Sequence, residues 1–143
     1  MEILEYDEKD YTLARILCDS VMIRDANGFR TLRLTYIECS SILKQRYNID
    51  VHHHTQLKDH LFNVDEMCHT LGLPLISAIV IYSSKNPNET TALQVGEGFY
   101  SMACIFKPEY KSMEPVDAWK TELNLVRECK DWSKLDNYLK EHF

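Results

Sequence analysis

The sequence predicts an α+β fold that is mostly helical. Three observations carry that expectation. Leu57, Leu61, Val64, Cys68 and Leu71 recur in a 4-3-4-3 spacing; Thr35 and Glu38 form a helix-start signature; and one short, β-branched apolar run, Leu75–Tyr82, lies between turn signals. The chain has 143 residues, which fits a single domain over residues 1–143 and is enough to bury a core without disulfides or metals.

Taken in order, the first helix is expected from about Asp7 to Ala26. Leu13, Ile16, Leu17 and Val21 are its apolar stripe, and Asn27-Gly28 is its stop. Phe29–Leu34 is too short for another helix and reads as a strand or extended link. The Thr35/Glu38 capping box opens a second helix to about Arg46, with Ile37, Leu43 and either Cys39 or Ile42 turned inward. Tyr47–Asp50 is a turn, with Asp50 placed to cap the patterned helix that Gly72 and Pro74 end. Leu75–Tyr82 reads as a buried strand and Ser83–Glu89 as a polar loop. Gly96-Glu97-Gly98 punctuates the chain, and Phe99–Phe106 reads as helix in preference to strand. Ser112 and Pro115 open a helix with Val116, Trp119, Leu123 and Val126 on one stripe, and Ser133 opens a last one carrying Leu135, Tyr138 and Leu139. This order of elements matches a winged-helix-like core (residues 29–106, a helix-turn-helix plus short strands), preceded by an N-terminal helix (1–28) and followed by a C-terminal helical extension (107–143).

Charge limits the function classes. The net charge of −6 argues against a dedicated, sequence-independent nucleic-acid binder. One segment runs against the rest: residues 24–46 carry Arg24, Arg30, Arg33, Lys44 and Arg46 against Asp25 and Glu38. The plainer account of that cluster is a set of dispersed surface charges. The five cysteines show no C-x-x-C spacing and sit beside apolar residues, as buried free thiols do, which points to a reducing compartment. Met1–Glu5 lacks the pattern of a secretory signal, and no apolar run approaches the ~20 residues of a membrane helix. The expected location is cytoplasmic, with no membrane partner.

Few residues point to chemistry. His52-His53-His54 is followed by His60 and His69, but adjacent helical residues diverge by about 100°, so the triplet cannot converge on one ion. An exposed polar turn is the plainer account, and neither metal nor cofactor is expected. In a helix-turn-helix, the histidine-led helix would present His53, Gln56 and Lys58 to bases, while Arg30, Arg33, Lys44 and Arg46 would meet phosphates. A packing-only helical hairpin is the plainer alternative. The serines lack a glycine-flanked elbow, and Cys68-His69 diverge on one helix, so no catalytic residue is assigned. Asp65-Glu66, Glu128 and Asp131 read as surface acids. Gly96-x-Gly98 lacks the third glycine and the Lys-Ser/Thr of a phosphate loop.

Thr35-Tyr36-Ile37-Glu38, Leu73-Pro74-Leu75-Ile76-Ser77-Ala78-Ile79-Val80 and Gly96-Glu97-Gly98-Phe99-Tyr100 together resemble a family of small bacterial and phage proteins. These carry a TY-x-E-L-A-like helix start, LP-x-LSA-x-VVN and PGEGF. The likeness covers roughly residues 30–132, departs from the family at Asn86–Gln94 and at Val95 in place of proline, and implies a restriction or mobile-element context. It marks Glu97, Phe99 and Tyr100 as partner-binding. The Thr-Tyr helix start also resembles the winged-helix half of alkyltransferase-like proteins, whose reactive Pro-Cys-His-Arg motif is replaced here by Leu73-Pro74-Leu75-Ile76.

Three functions follow. The first is a non-enzymatic factor that binds and modulates, for example inhibits, a protein of nucleic-acid metabolism or defence. The second is a winged-helix-like nucleic-acid-binding module. The third is an enzyme assembled from distant residues such as His60, Glu97 and Tyr100. Small size and acidic charge place protein binding first, since an acidic face is drawn to a basic nucleic-acid channel.

Overall fold

Helix α1 (Glu8–Asn27) packs against the second, third and sixth helices of the chain. Asp7 and Asp10 start it reciprocally: the Asp10 N–H donates to Asp7 Oδ1 at 2.9 Å and the Asp7 N–H donates to Asp10 Oδ2 at 3.0 Å. Leu13, Ala14, Ile16, Leu17, Cys18 and Val21 are all buried, because α1 has neighbours on several sides. The computed structural model describes residues 6–27, 34–52, 56–81 and 92–142.

Strand β1 (Leu34–Thr35) leads directly into α2 (Tyr36–Tyr47). The capping box is present in full: the Glu38 N–H donates to Thr35 Oγ1 at 3.1 Å and the Thr35 N–H to Glu38 Oε1 at 3.2 Å. It fixes the phase of α2 so that Tyr36, Cys39 and Leu43 face inward. Ile37, expected inside, is 50% exposed, since one residue from Tyr36 is about 100° around the helix. Asn48 at φ 54° then closes α2, its N–H reaching Leu43 and Lys44 carbonyls.

Helix α3 (Leu57–Thr70) buries Leu57, Leu61, Val64, Met67 and Cys68. It begins later than expected, and Asp50 does not cap it. The chain first turns at His52, whose carbonyl accepts the Gln56 and Leu57 N–H groups while its own N–H donates to Gln56 Oε1 at 2.8 Å. His52 therefore precedes the helix, and His53 and His54 lie outside the described residues. At the other end Gly72, at φ +76°, lets Leu73 N–H reach back to the Cys68 carbonyl at 2.8 Å.

The run Leu75–Tyr82 is the largest departure from expectation. Ile76–Ile79 is a 3-10 turn, and only Val80–Ile81 is a strand, β2. The side chains of Asp65 on α3 and of Trp119 and Glu122 later in the chain take backbone groups that a ladder would have used. β2 pairs parallel with β1, Leu34 opposite Val80 and Thr35 opposite Ile81, with α2 and α3 as the crossover between them. The expected strand over Phe29–Leu34 otherwise lies outside the described residues, as does the Ser83–Glu89 loop.

Helix α4 (Ala92–Phe106) contains Gly96 and Gly98, so these glycines sit within a helix where a break was expected. A 3-10 turn (Pro108–Ser112) links it to α5 (Pro115–Glu128), with Pro115 in the first turn, and α6 (Ser133–His142) follows. Trp119, Leu123, Val126, Leu135 and Leu139 are buried as the stripes require, within one core reaching from Leu13 to Leu139. Helix α6 packs on α1, clamped by Arg15 Nη1 to Asp136 Oδ1 at 2.6 Å. The mostly helical α+β expectation holds. Among the described residues no helix is long and apolar enough to cross a membrane.

The left-handed turn at Gly72 has a direct consequence. A Cβ there meets nothing within 4 Å, so Gly72→Ala adds backbone strain alone. Urea unfolding is expected to show a loss of roughly 1–2 kcal/mol with an unchanged slope.

Candidate functional site

Two carboxylates that occupy core positions organise the centre of the molecule. Asp65, on α3, follows Val64 on the stripe of Leu61 and Cys68, and it is fully buried; it was expected on the surface. Its Oδ1 accepts the Ser77 N–H at 3.0 Å and its Oδ2 accepts the Ser77 hydroxyl at 2.5 Å. Glu122, on α5 between Trp119 and Leu123, is also fully buried. It accepts the Leu75 N–H at 2.6 Å, Lys107 Nζ at 2.7 and 2.9 Å, and the Tyr110 hydroxyl at 2.5 Å. Trp119 Nε1 adds a bond to the Ala78 carbonyl at 2.7 Å. The Leu75–Ala78 backbone is thus held by side chains from both flanking helices. Burial pushes the Asp65 carboxyl up to about 7, against the downward pull of its two Ser77 bonds. Burial and the bond to Glu122 hold the Tyr110 phenol well above its ordinary value.

Ser77 has a second role. It is 3% exposed and is one of the residues that line an apolar groove of about 230 Å³ between α3 and α4. Leu61, Phe62, Phe99 and Met102 form the walls, and Tyr36 contributes from α2. Lys58, Asp59, Ser101 and Ile105 are exposed around the mouth, Ile105 at 65%. Phe62 and Phe106 pack with ring centroids 5.2 Å apart, bracing α3 against the end of α4.

The residues singled out from sequence divide between this groove and other places. Phe99 and Lys58 belong to it. Tyr100 does not: its hydroxyl donates to the carbonyls of Met113 at 3.0 Å and Tyr110 at 3.1 Å, tying α4 to the turn beyond it. Glu97 is carried by α4, with its side chain outside the description. Lys44 and Arg46 are exposed on the last turn of α2, where a cation complements the helix dipole. Gln56 is exposed just ahead of α3. Arg30, Arg33 and His53 lie outside the described residues.

His60 joins Asp7 and Asp10, the one trio of potential metal ligands among the described residues. Its Nδ1 is 2.7 Å from Asp10 Oδ1, and Asn63 Nδ2 donates to both Asp10 oxygens at 3.1–3.2 Å. These bonds and the helix cap already fill the Asp10 carboxylate, so the group ties the start of α1 to α3. His60 and Tyr100 thus serve different contacts and form no shared site. Burial pushes the Cys18 and Cys39 thiols up to about 12 and Cys68 well above its ordinary value, which fits core packing and not nucleophilic chemistry.

Comparison of the chain with protein-family models, curated proteins and solved structures finds no match.

Sequence reasoning missed Asp65, Ser77 and Glu122. The readable signal was a charged residue inside an otherwise apolar stripe, at 61-64-65-68 and again at 119-122-123-126. The raised Asp65 carboxyl has a testable effect. The folded chain keeps its proton up to about pH 7, whereas the unfolded chain releases it near 4, so folding stability falls as pH rises between those values. Asp65→Asn keeps the shape and removes the charge. Denaturation midpoints across pH 4 to 8 should show the wild type losing stability relative to Asp65→Asn through that window and no further difference in slope above it.

Proposed function

We propose that the protein is a non-enzymatic binding factor that engages a partner protein through the α3–α4 groove. The observation that carries this reading is the groove itself: apolar and aromatic walls about 230 Å³ in extent, a polar rim of Lys58 and Asp59, and Ile105 standing exposed at the edge. A desolvated apolar pocket within a polar rim is the anatomy of a hot spot. The net charge of −6 favours a partner with a basic face, which fits a nucleic-acid-acting protein of the defence or mobile-element kind that the sequence resemblance implies, with inhibition as the expected outcome of binding.

A second reading, a winged-helix-like nucleic-acid module, draws on the exposed Lys44, Arg46 and Lys58 and on the order α2, α3, β2. In that reading α3 enters a groove of the duplex and the α2 cations meet phosphates.

A photo-crosslinking residue placed at Ile105, in cells of the source organism, separates the two. The expected result is one dominant crosslinked protein that is lost when Met102→Trp fills the groove, with the helical circular dichroism unchanged. A crosslink pattern indifferent to Met102→Trp would contradict the docking reading. Steeply salt-dependent binding to duplex DNA, weakened by reversing Lys44 and Arg46, would replace it with the second.

A further inference from the structure

We draw no further inference here: the strongest candidate, the Asp7–Asp10–His60 side-chain cluster where the start of α1 meets α3, is already engaged in the hydrogen bonds that cap α1 and tie it to α3, and no second feature among the described residues points to a ligand there.

Discussion

Burial of Asp65 and Glu122 is the constraint on which the rest of the structure depends. Removing a carboxylate from water costs several kcal/mol unless its oxygens are filled, and here they are: two donors from Ser77 on one, and Leu75, Lys107 and Tyr110 on the other. The same bonds satisfy the N–H groups of a segment that has left α3 and has not yet reached β2. An unsatisfied buried N–H costs about 1–3 kcal/mol, so the segment and the carboxylates stabilise each other. Helix α3 and helix α5 are thereby fixed to one stretch of backbone, and α1 packs on both α3 and the 3-10 turn.

The geometry of the groove follows from that clamp. Ser77 is held by Asp65 through two hydrogen bonds and also lines the groove together with Met102 and Phe99, so one residue is both a tie in the core and part of the site's lining. The α4 wall has its own anchors: the Tyr100 hydroxyl on the Tyr110 and Met113 carbonyls, and Tyr110 on Glu122. A chain of hydrogen bonds therefore runs from α4 to the buried Glu122 carboxylate. Preformed sites of this kind bind without first ordering their own side chains, which lowers the entropic cost of association.

Much of the helical frame was legible in the sequence because local rules decide it. The Thr35/Glu38 box, the Asn48 and Gly72 stops, Pro115 and the stripes of α3, α5 and α6 each operate within four residues. What failed depends on residues distant in the chain. Leu75–Tyr82 carries the composition of a strand, yet Asp65, Trp119 and Glu122 capture its backbone, 12 to 47 residues away. Gly96 and Gly98 look like breaks and lie within α4. Of the site residues proposed from sequence, Lys58 and Phe99 meet at the groove because α3 and α4 pack together, which periodicity alone does not reveal. Asp65 and Glu122 were visible as charges on apolar stripes, a pattern that is costly without buried donors and so announces them.

The central claim is that buried carboxylates hold Leu75 and Ser77 as firmly as a helix holds its own amides. Hydrogen exchange resolved at single amides tests it most directly. The account predicts that the Leu75 and Ser77 N–H groups exchange only with global unfolding, at rates matching Val64 and Cys68 in the core of α3. Fast exchange of Leu75 and Ser77, at the pace of an open loop while α3 stays protected, would contradict it.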